Sequence, residues 1–291
     1  MSRPKVLVIY KESAYSRFSS SAQLSRGFKK GSYWHLIQGS HQRHHDTLQG
    51  VRAALKAEGL PFTMAKRGQV HRIKNLERRF QLVISVGGDG TLLDCSHHVG
   101  KTPLLGVNSD PQRSVARFSG CNLYTFPRVL RAFLRGGLRP SLVARLEFTV
   151  NGVKSAWLVL NDLLVTTLSP AGTSRYVLRV GSKAEEQVSS GVWVSTAAGS
   201  TAANLSAGGR VLPVQGRKFQ FVVREVYHRK FGPRRLLKGT LGPGQSLEIL
   251  SQMKDGRVFV DGPSLWTPFR LGDRLKVRLA GKPLRLIGLR H

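Results

Sequence analysis

A chain of 291 residues with 41% hydrophobic content can bury one large core or two modest ones. Its 46 Lys and Arg against 16 Asp and Glu leave a formal charge of +30. That argues against cationic partners and suits polyanions: nucleic acid, an anionic membrane, nucleotide phosphates or polyphosphate, with a solvated basic surface fitting the same numbers.

The opening MSRPKVLVIY holds an uninterrupted apolar stretch from Val6 to Tyr10, too short for a signal segment and suited to a buried strand. No apolar run nears the roughly 20 residues of a membrane helix. Cys95 and Cys121 form no CxxC or zinc spacing, which argues against a thiolate metal site and fits a reducing compartment. The expectation is a cytoplasmic protein with no membrane partner and no protein-held metal.

Residues 13–40 lack clear periodicity and read as a long loop. Leu48, Val51 and Leu55 lie at helical spacing within 41–58, and Gly59 with Pro61 stops that helix. His41 and His45 have the i, i+4 spacing that suits a metal, but no carboxylate completes the set, so His44 and His45 read as solvated or nucleotide-facing. QLVISV (81–86) and PLLGVN (103–108) are further buried strands. Phe126, Leu130, Phe133 and Leu134 share one helical face that ends at Gly136–Gly137. Strands alternating with helices imply a mostly parallel sheet covered on both faces.

After Pro140 the period changes. LVARLEFTV (142–150) alternates, Asn151-Gly152 supplies a type I′ turn signal, and YVLRV (176–180), KFQFVV (218–223), RVFV (257–260) and RLKVRL (274–279) continue as short strands. This half is β-rich. Basic residues cluster locally at 74–79 and 228–235.

The stretch SVGGDGTLLD (85–94) sets a carboxylate among glycines between a strand and a helix expected to begin near Thr91. Such a turn cradles anions, because glycine lets backbone N–H groups approach phosphate oxygens and the helix adds its positive end. Gly87, Gly88 and Gly90 then hold phosphate. Asp89 would repel it, and serves better as a general base toward an attacking hydroxyl, with magnesium offsetting the charge. The plainer reading is a tight turn capped by Asp89. A second small-residue run, VWVSTAAGSTAANLSAGG (192–209), offers the hydroxyls of Ser200, Thr201 and Ser206 and lets a flat ligand lie against backbone. Tight packing of small residues is the alternative.

GGDGT, LNDLLV (160–165), the GSTA run ending in AGG, VFVDG (258–262) and LGDRLKV (271–277) together resemble the NAD kinase family over nearly the whole chain. RHHDTLQGVRAALKAEGL (43–60), GVNSDPQRS (106–114) and SSG at 189–191 are similar to its mitochondrial-type branch and bacterial relatives. The resemblance implies a Rossmann-like α/β N-terminal domain (1–138), a β-rich, β-sandwich-like substrate domain (139–270), and a closing segment (271–291) packing back on the first. It implies transfer of the γ-phosphoryl of ATP, or a phosphoryl from polyphosphate, to the adenosine 2′-hydroxyl of NAD, with Mg2+ accompanying ATP.

By the same resemblance Asp89 matches the general base, and Gly87, Gly88, Gly90 and Thr91 the phosphate loop. Asn108, Asn161, Asp162, Ser190, Thr201, Ala202 and Ser206 match NAD-binding positions. The partners implied are NAD, ATP or polyphosphate, and further copies of the chain in a homodimer or higher homo-oligomer; nucleic acid is not expected. Three positions depart from the family pattern: Asp162 stands for Glu, Ala203 for an aromatic, and Ser190 for Asp. Losing the ring removes a stacking surface of about 1 kcal/mol. Arg113 suits either a ligand phosphate or a surface ion pair. Two other classes share part of the pattern: lipid-alcohol kinases carry GGDGT, and an inactive nucleic-acid-binding relative would use the charge. The first would be expected to lack the GSTA run, and the second has no need of Asp89.

Overall fold

The computed structural model describes residues 3–19, 31–227 and 235–289. The cluster at 228–235 therefore lies almost wholly outside the described residues. The chain divides into two compact units, Met1–Ser141 with Leu284–His291, and Leu142–Pro283. The division falls at 141/142 rather than after 138. The strand Arg274–Leu279, expected in a segment returning to the first domain, stays in the second unit; only from Leu284 does the chain belong to the first.

The first unit is α/β. Its elements are β1 (Val6–Tyr10), α1 (Ala14–Ser19), α2 (Ser32–Ala57), β2 (Phe62–Lys66), α3 (Leu76–Arg79), β3 (Leu82–Gly87), α4 (Asp89–Ser96), β4 (Leu104–Asn108), β5 (Cys121–Asn122) and α5 (Phe126–Leu134). The sheet runs β2-β1-β3-β4 and continues to the closing strand Leu284–Ile287, with β5 also paired to β4. These pairings are parallel, as unbroken apolar strands require. β3 and β4 are buried along their whole length because helices cover both faces. Val51 and Leu55 of α2 and Phe126 and Leu130 of α5 pack with Val8, Ile84 and Leu105 of the strands.

The expected loop over 13–40 is largely helical. α1 and the first nine residues of α2 occupy 14–19 and 32–40, and 20–30 lie outside the described residues. Trp34 and Ile37 extend the buried face of α2 one turn at a time toward His44 and Val51. Gly39 and Ser40 masked that periodicity in sequence without breaking the helix.

The second unit is a β-sandwich of two six-stranded antiparallel sheets. β6 (Ser141–Val143) still belongs to the first sheet, beside the closing strand; between it and Pro283 lie β7 (Leu146–Val150), β8 (Val153–Lys154), β9 (Asp162–Thr167), β10 (Ser174–Val180), β11 (Lys183–Ser189), β12 (Val192–Thr196), β13 (Phe219–Val223), β14 (Lys238–Leu241), β15 (Ser246–Ser251), β16 (Gly256–Val260), β17 (Leu265–Phe269) and β18 (Arg274–Leu279). One sheet has the order β11-β10-β15-β18-β7-β8 and the other β14-β13-β12-β9-β16-β17. Inward residues of both, among them Phe148, Tyr176, Ile249 and Val277 from one and Leu163, Val194, Phe221 and Val258 from the other, form a single core. Asn151 and Gly152 both have positive φ, at 53° and 80°, the requirement of the type I′ turn that joins β7 to β8.

Candidate active site

In the first unit the glycine turn lies at the carboxyl end of β3, where ligands of parallel α/β sheets bind. Helix α4 begins at Asp89 itself, two residues earlier than expected, with Gly88 as its N-cap. Asp89 therefore sits in the first turn, where a carboxylate complements the helix dipole. Both its oxygens are engaged: Oδ2 accepts the Arg117 amide and Oδ1 the Phe118 amide, each at 2.9 Å. Ala116 immediately before them has φ 42°, in the left-handed region, and two successive amides after such a turn form an anion-holding nest.

The glycines are required by close approach. A Cβ on Gly87 would collide with Thr91 Oγ1, and one on Gly88 would meet Ser114 Oγ at 2.9 Å. Thr91 is buried and its amide donates to the Gly88 carbonyl. Gly90 is exposed.

Asn108 ends β4 directly opposite Gly87 in the strand register. Its Nδ2 donates to the Ser114 carbonyl at 2.8 Å and its Oδ1 accepts the Asp110 amide at 3.0 Å. It thus shapes the loop that reaches Asp89. An open cleft of about 300 Å3 beside this loop is lined by Asn108, Ser114, Val115, Arg117, Cys121 and Asn122. Arg113 is exposed, and its amide donates to the Asp110 carbonyl. Ser109 is buried beside Gly87, its hydroxyl without a partner among the described residues.

The histidines divide. His44 is buried, and its Nε2 donates to the Lys11 carbonyl at 2.9 Å, which leaves Nδ1 as the unprotonated nitrogen. Burial, with Lys11 beside it, pushes this imidazole down to about 4, so it is neutral and not the solvated group expected. His45 is exposed, whereas His41 Nδ1 pairs with Ser13 Oγ at 2.7 Å.

In the second unit Asn161 and Asp162 open β9. The Asp261 carboxylate binds this point: Oδ1 accepts the amides of Asn161 at 2.7 Å and Asp162 at 3.0 Å, and Oδ2 that of Leu160 at 2.9 Å. Asn161 Nδ2 donates to Asp162 Oδ2 at 2.8 Å. Burial, then the charge of Asp261, pushes the Asp162 carboxyl up to about 7. Burial raises Asp261 to about 7 as well, against the pull of its three amide donors, so the two carboxyls titrate together near neutrality.

Thr201 and Ala202 follow β12 on a 3-10 turn, Ala198–Thr201, that lies on Asn161. A Cβ on Gly199 would overlap the Asn161 carbonyl. Ser200, expected to offer its hydroxyl, is fully buried and uses it internally, donating to the Ala197 carbonyl at 2.7 Å and accepting the Leu212 amide at 2.9 Å. Ser206 is exposed at the end of the short helix Ala203–Ser206. Ser190 is not brought to Asn161. It stands at the far end of β12 from the turn, its amide on the Arg224 carbonyl and its hydroxyl on Glu225. A cleft of about 810 Å3 elsewhere in this unit contains none of these residues; Glu147 there pairs with Lys154 at 2.6 Å and Arg278 at 2.7 Å, and Lys276 and Lys282 also line it.

Residues 34–135 match the family model of the ATP-NAD kinase N-terminal domain. A probable NADH kinase of Oryza sativa subsp. japonica is 32% identical over 266 residues, covering 84% of this chain and 81% of that protein. The chain belongs to the NAD kinase family. Two solved structures share the fold: an NAD kinase from Archaeoglobus fulgidus in complex with ATP (TM-score 0.65, 18% identity, 98% of this chain and 93% of that one) and yeast NADH kinase complexed with NADH (TM-score 0.67, 14% identity, 99% and 84%). Members of the family are phosphotransferases, and the lipid-kinase and nucleic-acid readings are not favoured.

Two anchoring groups escaped the sequence reading. Asp261 stands in the sequence within VFVDG, and an Asp-Gly closing a buried strand is the signal for such an anchor. Asp110 and Arg43 lie 67 positions apart, and nothing in either segment announces that they meet.

Proposed function

We propose that this protein transfers the γ-phosphoryl of ATP to the adenosine 2′-hydroxyl of NAD, giving NADP and ADP. The carrying observation is Asp89, a carboxylate oriented by two backbone amides within a glycine turn at the carboxyl end of β3. As the 2′-oxygen attacks γ-phosphorus, its proton passes to Asp89 and the bond to the β–γ bridging oxygen breaks, leaving ADP. Gly87, Gly88 and Gly90 form the loop that receives the donor phosphates, and Thr91 closes it, its amide donating to the Gly88 carbonyl.

Each Asp89 oxygen accepts one amide and keeps a second lone pair, so the carboxylate can still accept a hydroxyl proton. Mg2+ would be held by ATP's own phosphate oxygens and would offset the phosphate charge. We assign Asn108, Asn161, Asp162, Thr201 and Ala202 to the adenosine end of NAD, and Ser190 and Ser206 to its periphery. The +30 charge supports ATP or polyphosphate as donor. Two free, buried cysteines support a cytoplasmic setting. We expect a homodimer or larger homo-oligomer.

The test is product analysis. The protein is incubated with NAD or NADH, with ATP or polyphosphate, and with Mg2+, and the 2′-phosphorylated product is followed with an NADP-specific dehydrogenase or by chromatography. NADP or NADPH must form; its absence with every donor and acceptor would overturn the reading.

A further inference from the structure

Arg43 of α2 points at the loop that holds Asp89. Its Nε donates to Asp110 Oδ1 at 2.6 Å, and the Asp110 side chain is only 4% exposed. Burial alone would raise the Asp110 carboxyl, yet hydrogen bonds from Arg43 and Ser40 and the charges of Arg43 and Lys11 hold it below the usual carboxylate range. Asp110 is thus a buried, matched anion at the root of the loop.

From there the contacts run in one direction. The Asp110 amide donates to Asn108 Oδ1, and its carbonyl accepts the Arg113 amide at 3.1 Å and the Ser114 amide at 3.0 Å. The Ser114 side chain lies over Gly88, and three residues on the loop delivers the Arg117 and Phe118 amides to Asp89. We infer that the Arg43–Asp110 ion pair is a positioning device for catalysis: it sets the 109–118 loop so that its last two amides aim the Asp89 carboxylate at the acceptor hydroxyl. This rests on the reading of Asp89 as the base, and gives the arginine of the Arg-His-His run its purpose. The Asn108 backbone is fixed separately by its register opposite Gly87, so that end of the loop stays when the far end shifts.

The experiment compares wild type, Arg43→Gln, Arg43→Lys and Asp110→Asn by steady-state kinetics with NAD and ATP, alongside melting temperature. Arg43→Gln is expected to lower kcat roughly 10-fold or more, since misplacement by about an ångström can cost ~100-fold, while KM for NAD changes by less than about threefold. Arg43→Lys, which keeps the charge, should recover most of kcat. A pair that only stabilises the fold would lower the melting temperature and leave kcat per folded enzyme unchanged, and that result overturns the proposal. Should Arg43→Gln fail to fold, Asp110→Asn tests the same link from the loop side with the same expected split. Asp89→Asn is run beside them: full turnover there sinks the base assignment itself, whereas an inactive Asp89→Asn with an undiminished Arg43→Gln sinks only the ion pair.

Discussion

Asp261 accepts the backbone amide of Asn161 at 2.7 Å, joining two segments 100 residues apart. Asp162 and Leu160 donate their amides to the same carboxylate. A residue at φ 48° on a tight turn after β16 thereby fixes the start of β9, where the Asn-Asp element stands. Asp261→Ala would leave three amides without their acceptor, each worth about 1–3 kcal/mol when buried and unpaired. We predict a loss of about 3 kcal/mol or more in unfolding free energy, read by urea titration, with Asp261→Asn milder because one oxygen remains. A loss below about 1 kcal/mol in the alanine variant would contradict this role.

The same pair sets a pH dependence. Asp162 is raised in the folded protein to about 7 by burial and by Asp261, against 3.8 when free. The folded state then binds more protons than the unfolded chain between those values, so this contribution is fully present below about pH 4 and is lost as pH rises through about 7. We predict that Asp162→Asn, relative to wild type, gains stability progressively from pH 4 to pH 7 and no further above it. A difference between the two proteins that does not vary with pH would refute the raised Asp162 carboxyl.

Gly199 carries a third prediction. The 3-10 turn of the second small-residue run rests on the Asn161 backbone, and a methyl at Gly199 would overlap that carbonyl. Because the obstruction is backbone, it cannot swing aside, and overpacking of this kind costs about 2 kcal/mol. Gly199→Ala should lower thermal stability by that order and raise KM for NAD, whereas Gly181→Ala, with open space around it, should leave KM unchanged. An unaltered KM in Gly199→Ala would show that the turn does not position the adenosine site.

Salt provides the fourth. If the +30 charge draws in the donor, screening must weaken it, since the Debye length falls from about 10 Å at 0.1 M to about 3 Å at 1 M. KM for ATP should rise severalfold between low and high ionic strength while kcat changes little. A constant KM would leave the charge without a part in donor binding.

Much of this was legible in sequence. The strands read at 5–10, 81–86 and 103–108 became parallel strands, and the alternation after Pro140 became a sandwich, because side-chain period reports directly which faces are buried. The glycines of GGDG were legible for the same local reason. What was not legible depends on distant partners. Ser200 looks like a ligand hydroxyl until Leu212 and Ala197 are seen to occupy it. His44 looks solvated beside His45, but it lies on the core face of the helix with Ile37 and Val51. Asp110 gives no periodic signal at all, since its meaning lies in Arg43.

The central claim is that Asp89 takes the proton of the attacking hydroxyl. The most direct measurement is kcat of Asp89→Asn with NAD, ATP and Mg2+, beside NAD binding and melting temperature of the same protein. Asparagine keeps an oxygen for one of the Arg117 and Phe118 amides and turns an NH2 toward the other, so some stability should be lost while NAD affinity holds. We predict a fall in kcat of about 10²- to 10⁴-fold. A kcat within a few-fold of wild type would contradict the assignment and require the proton to leave by another route.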